Sequence, residues 1–366
     1  MRRGLISWSQ EEMPAAVLDA RVARLQAAMR EQQLGAMREQ QLGAVLAYTS
    51  FAQPAAVHWL TNFTPYWSEA LLVVLPEGKP LLLAALTQRV HPWIREVSHL
   101  GDVLTAPRLG HDVVKLLSER LAPDTAIGVI GLDTLPWPVA SPLIDSARGT
   151  HLTDVSDLFR SIRQPADAAE ITLAEHASRI ALAALRSIPA SPRNASEITA
   201  AVESSARLAG AEEVLQRIAP DLHQDTALCR MDGDCPLGTR YAVEVSVAYK
   251  GVWVRAATTL SSDSTSKTWH DAQRWFESAA PALAAAKLGK SLADAPGKVS
   301  RWSVEASLLT EPLSIAAANG ATAAAALPAG CPAVVSVHLA LADGPWMASA
   351  PCIVGRPTSL YPWTAA

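Results

Sequence analysis

Long apolar runs are missing from this sequence. No window approaches the roughly 18 consecutive apolar residues of a membrane span, so none is expected. The opening MRRGLISWSQEE sets two arginines before only a short apolar run. A signal-peptide core needs about 7–15 apolar residues, so none is expected. Basic tracts are missing too. The formal net charge is −4 and the pI is near 6.1, which does not resemble a nucleic-acid-binding footprint. Cysteine is scarce: Cys229, Cys235, Cys331 and Cys352. Cys229 and Cys235 stand six apart rather than as a CxxC pair, so metal-finger spacing is absent. Reduced thiols in a cytoplasmic protein are the expectation, with a reactive Cys229 or Cys235 as the alternative.

What remains is a chain of 366 residues, 49% hydrophobic and 18% charged, with ample material for packed cores. That length suits two domains of about 150–200 residues each. Residues 14–43 read as helix, with Val22, Leu25 and Met29 at three- and four-residue spacing between Val17 and Leu34. Within them AMREQQLG occurs twice in tandem, at 28–35 and 36–43. Gly35 and Gly43 predict a helix that is interrupted or stops, and a recent duplication without function accounts for the repeat. Strand-like runs follow at 44–50, 70–76 and 80–86, with PEGK at 76–79 as a hairpin turn. A helix at 110–121 and a strand at 126–131 complete an α/β domain over 1–155.

The remainder, 156–366, reads as α+β. Residues 166–188 predict a helix, with Asp167 as cap and Glu170 three residues on as its capping-box partner. A second helix begins near Ser196 and ends at Gly210. RYAVEVSVAYKGVWVRAATTL at 240–260 alternates about Lys250-Gly251 and predicts a β-hairpin. A helix over 271–290 and strands near 333–341 and 346–354 close the chain.

The order helix, helix, hairpin, helix, two strands resembles the catalytic half of the creatinase/aminopeptidase P/prolidase ("pita-bread") family. The first half resembles that family's N-terminal domain through RLQAAM (24–29), VHWLTNF (57–63) and LLVVLPEGKPLLL (71–83). The resemblance covers roughly residues 15–360. It implies a fold with an α/β N-terminal domain and a pita-bread C-terminal domain, and it implies a homodimer.

In active family members two Asp, one His and two Glu hold a pair of divalent metals, which activate a bridging water for attack on an amide carbonyl. By the resemblance, the first Asp position, seven before Gly251, is Glu244, and the second, four after it, is Arg255. Counting back nine from Pro312 puts Ser303 in place of the His. Thr310 stands for a second His before Glu311-Pro312. The late Glu positions become His338, in VVSVH, and Ser349. The resemblance therefore implies a member without the metal ligands and with no cofactor. A fixed guanidinium where a cation should sit opposes metal binding by charge. Residues 244 and 255 flank the turn at 250, so a Glu244–Arg255 pair in the old metal site is predicted, unless alternation turns one of them to solvent.

His338, Glu244 and Arg255 are the candidate catalytic groups, supplying proton transfer, orientation and anion binding. A lone His in an apolar strand is otherwise a satisfied core residue. Glu311, Glu305, Trp253, Trp302 and His223 are candidate substrate contacts. For the tryptophans core packing is the alternative, and for His223 an ordinary loop position is. Creatinase works without metal through a His that aligns near residue 227, where this chain has Ala, so its mechanism does not carry over.

Three functions follow. The first is a metal-independent acid–base enzyme acting on a small amide, amidine or amino-acid-derived substrate. The second is a catalytically dead relative whose cleft binds a short peptide or protein partner. The third is a metallopeptidase with displaced ligands, which the single acidic residue of 240–260 disfavours. Nucleic acid and membrane are not expected as partners.

Overall fold

A computed structural model describes residues 7–31, 41–65, 68–146, 149–263, 266–285, 287–307 and 327–360. The chain divides into two compact units between Arg163 and Gln164, where the sequence reading ended its first domain at 155.

The first unit runs α1 (Ala15–Glu31), β1 (Leu42–Thr49), α2 (Ala55–Thr61), β2 (Ala70–Val74), β3 (Leu81–Ala84), α3 (His91–Val97), β4 (Val103–Thr105), α4 (Leu109–Arg120), β5 (Ala126–Ile130), α5 (Trp137–Asp145), β6 (Leu152–Asp154) and α6 (Ser156–Ile162). Its mixed sheet has the order β4-β3-β2-β1-β5-β6. β2 and β3 form the antiparallel hairpin that PEGK predicts, with Val73 opposite Leu81. β1 and β5 pair in parallel, as an α/β crossover requires. Both faces of this sheet are apolar. Val45, Ala47, Leu72 and Val74 feed one core, and Ala44, Leu46, Leu71 and Val73 feed the other.

The expected helix over 14–43 is shorter than its periodicity implied. α1 ends at Glu31, and Leu42 and Gly43 of the second repeat copy open β1 instead. Leu42 pairs with Ala126, and a Cβ at Gly43 would lie 2.1 Å from Thr125 Cγ2, so the copy's last glycine serves close strand packing rather than a helix stop. Residues 36–40 of the second copy, with Gly35, lie outside the described residues.

The second unit runs α7 (Ala168–Arg186), α8 (Ala195–Leu208), β7 (Glu213–Ala219), β8 (Arg240–Tyr249), β9 (Val252–Ser261), α9 (Lys267–Ala284), α10 (Leu288–Ala293), β10 (Lys298–Ala306), β11 (Pro332–Leu341) and β12 (Gly344–Ile353). Asp167 caps α7 in the capping box the sequence shows, accepting from the Glu170 N–H at 2.9 Å. α8 is capped by Asn194 rather than starting at Ser196, because the Asn194 side chain accepts the Glu197 N–H. α9 starts earlier than 271, capped by Ser266, and stops at Ala284.

The six strands form one antiparallel sheet, β10-β11-β12-β9-β8-β7. β8 and β9 are the predicted hairpin, turning at Lys250 and Gly251, both with positive φ. β7 and β10 were not read as strands. Each is an edge strand with mixed burial, so neither shows the clean alternation that marks a half-buried strand. α7 packs on β8 and β9, and α9 on β11 and β12. Trp346 of β12 meets Phe276 of α9 at 5.9 Å, in an edge-on contact. Val243, Val245, Val247, Val254 and Ala256 alternate toward this helix-covered face and are buried. The opposite face carries the charges. Among the described residues no helix is long and apolar enough to cross a membrane.

Candidate functional site

Alternation decides what reaches the face away from the helices. Glu244 lies opposite Arg217 of β7 and Ala257 of β9. Ala257 lies opposite Ser349 of β12, Ser349 opposite Ser336 of β11, and Ser336 opposite Ser303 of β10. One row thus crosses the whole sheet: Ser303, Ser336, Ser349, Ala257, Glu244, Arg217. Residues two away on each strand share this face, which adds Arg255, Trp253, Glu305, Arg301 and His338.

Four of these groups form a buried ion network. Glu244 and Arg255 are each 5% exposed. Glu244 Oε1 accepts from Arg217 Nε at 2.7 Å and lies 2.5 Å from Arg217 Nη2. Its other oxygen, Oε2, is 3.7 Å from Arg255 Nε, an ion pair too long for a hydrogen bond. Arg255 Nη2 donates to Glu305 Oε2 at 2.9 Å. Arg255 Nε is buried without a hydrogen-bond partner. The predicted juxtaposition of Glu244 and Arg255 is thus present on one face. The tighter partner of Glu244, however, is Arg217, which the sequence reading did not single out. Its only signal was an Arg in QRIA, in a strand that was itself not read. Two guanidiniums and two carboxylates balance, as buried charges must when water is excluded.

The hydroxyl row lies beside this network. Ser336 Oγ and Ser349 Oγ are 2.7 Å apart, and Ser303 and Ser349 are nearly fully buried. His338 stands one row further on, between Arg301 of β10 and Met347 of β12. Counting along the sequence set His338 in the first late-Glu position; the sheet register puts Ser336 level with Ser349 and Ser303. Burial, reinforced by the Arg301 charge, pushes the His338 imidazole down to about 4, so it is neutral near pH 7.

The other candidates separate. Glu305, a candidate substrate contact, joins the network from the edge strand β10. Trp253 is 4% exposed, two residues from Arg255 on the same strand. Trp302 pairs with Val337 and alternates onto the opposite face, so it does not border the network. His223 is exposed on the β7–β8 connection, with its ring close against Gly344 in the β11–β12 turn. Glu311 and Thr310 lie outside the described residues.

Two carboxylates, each already paired to a guanidinium, do not fit a pair of divalent cations. Arg255 would place a fixed positive charge among the ligands. Among the described residues no three or more His, Cys, Asp and Glu side chains converge.

Residues 21–164 match the family described as the Creatinase/Prolidase N-terminal domain. No curated protein sequence matches the chain. Among solved structures, the prolidase from Pyrococcus horikoshii OT3 superposes with a TM-score of 0.67 at 15% identity, covering 93% of this chain and 96% of that one. Dipeptidase PepE from Mycobacterium ulcerans gives 0.64 at 18% identity, covering 96% and 97%. The X-Pro aminopeptidase from Thermotoga maritima MSB8 gives 0.65 at 13% identity, covering 89% and 97%. At these identities the likeness establishes the fold: an α/β N-terminal domain followed by the pita-bread unit, over nearly the whole chain.

Proposed function

We propose, for a chain that has the prolidase fold and matches the creatinase/prolidase N-terminal domain, that the charged face of its second sheet binds a small amide-type molecule or short peptide without a metal. The observation that carries this reading is the Arg255 guanidinium, ion-paired to Glu244 and Glu305. It supplies fixed positive charge where a metal-dependent relative would hold cations. The hydroxyls of Ser303, Ser336 and Ser349 supply neutral donors and acceptors beside it.

Elemental mass spectrometry on protein purified without added metal tests this. Manganese, cobalt and zinc far below one equivalent per chain are expected. A stoichiometric metal pair would overturn the reading and return a peptidase assignment.

A second reading, a metal-independent acid–base enzyme, is favoured by one observation. His338 is held neutral, in its proton-accepting form, on the same face as Arg255 and Glu244. Glu244 carries charge and orientation in that reading. A base held near 4 is weak, however, and among the described residues no carboxylate orients the ring, so binding is the better supported of the two. If the face is catalytic, His338→Gln abolishes turnover of small amides and amidines while the protein stays folded. Full turnover in that variant removes His338 from the mechanism. A homodimer and a cytoplasmic location complete the proposal, and light scattering of the purified chain checks the first.

A further inference from the structure

The geometry points to a carboxylate-binding site at Arg255 that Glu305 occupies from within the chain. A ligand with a free carboxylate, such as an amino acid or the C-terminus of a short peptide, binds by taking the place of Glu305. The inference rests on the metal-independent reading of this face and names the chemistry of its ligand.

The two partners come from strands that are not neighbours. β9 and β10 are separated by β12 and β11 in the sheet, yet Arg255 and Glu305 meet at 2.9 Å. Extending the Ala257–Ser349 register sets Arg255 level with Pro351, which opposes Val334, which opposes Glu305. The ion pair therefore lies across the charged face, above two strands that contribute no charge at that level.

The two halves of the pair also differ. Arg255 is 5% exposed, fixed in the middle of the sheet, and its Nε lacks a hydrogen-bond partner. The Glu305 side chain is 25% exposed and sits on an edge strand. Glu244 is hydrogen-bonded to Arg217 through Oε1 and meets Arg255 only as a 3.7 Å ion pair through Oε2, so it does not fill the place on Arg255 that Glu305 takes. A buried guanidinium whose one hydrogen-bonded carboxylate among the described residues is the more exposed partner needs an anion at that place, but not this particular one. A planar carboxylate matches the guanidinium fork, which still has donor capacity.

Glu305 is then an internal competitor, and the apparent affinity for a free carboxylate is reduced by the fraction of molecules in which the pair is closed. Titration calorimetry on the full-length, metal-free protein tests this with N-acetylglycine, which has one amide and one carboxylate, and with N-acetylglycinamide, which lacks the charge. Glu305→Gln is expected to bind N-acetylglycine about tenfold or more tighter than the natural chain. N-acetylglycinamide gains nothing, and adding Arg255→Met removes the gain. Should Glu305→Gln not fold, Glu305→Asp keeps the charge with a shorter reach and gives a smaller gain in the same direction. Failure of the folded Glu305 variant to bind N-acetylglycine more tightly, or an equal gain for the amide, overturns the inference. A metal pair in the protein would instead overturn the proposed function, so the two failures are distinguishable.

Discussion

The two six-stranded sheets of this chain bury their faces by different means. In the first, both faces are lined by aliphatic side chains, Val45 and Leu72 toward one side, Leu46 and Val73 toward the other. In the second, one face is packed in the same way under α7 and α9, while the other holds Arg217, Glu244, Arg255 and Glu305. Aliphatic packing tolerates a changed side chain at the cost of a cavity. In a charge network the loss of a buried member such as Glu244 strands its neighbours.

The sharpest way to break the contrast is Glu244→Ala. It leaves Arg217 and Arg255 without their shared carboxylate, and a loss of about 3–5 kcal/mol in denaturant-measured stability is expected. A loss no larger than that of an exposed ion pair would show that water reaches the network. Next is Leu72→Ala in the first sheet, a fully buried position, expected to cost about 3 kcal/mol through cavity formation alone. Unlike the first variant, its cost should not respond to salt.

His338 sharpens the comparison through pH. Its folded pKa, near 4, lies below the ordinary imidazole value of 6.5, so the native state binds fewer protons than the unfolded one between those values. Stability from this group is fully present above about 6.5 and is lost as pH falls toward 4. His338→Gln should flatten the acid limb of the stability curve by something on the order of 2–3 kcal/mol. An unchanged acid limb, or an imidazole that titrates near 6.5 by NMR, would refute the burial argument. The smallest effect is Asp167→Ala, which removes one side of the α7 capping box, for about 1 kcal/mol by thermal denaturation.

Part of the site was legible before any coordinates, and the illegible part has identifiable causes. The hairpin about Lys250-Gly251 declared itself by alternation and turn chemistry, so Glu244 and Arg255 could be set on one face from the sequence. Arg217 could not, because β7 is an edge strand whose pattern mixes polar and apolar residues on both sides. Ser336 was overlooked in favour of His338, because counting along β11 is uncertain by two residues until β10 and β12 lie beside it. Two residues is one full period of a strand, so both choices face the same way and only cross-strand pairing separates them. Trp302 failed for the complementary reason: a shift of one residue moves a side chain to the other face.

The sequence by itself determined the order of elements, the capping box at Asp167, both hairpins and the scarcity of metal-ligand residues between 240 and 260. Those are local properties, set by periodicity, turn residues and composition over a few neighbours. Only the tertiary structure decided that Arg217 holds Glu244, that the three serines fall into one row, and that Glu305 reaches Arg255 across two intervening strands. Strand order and register join Arg217 to Glu244 over 27 positions and Arg255 to Glu305 over 50, and no local pattern in either partner specifies such a meeting.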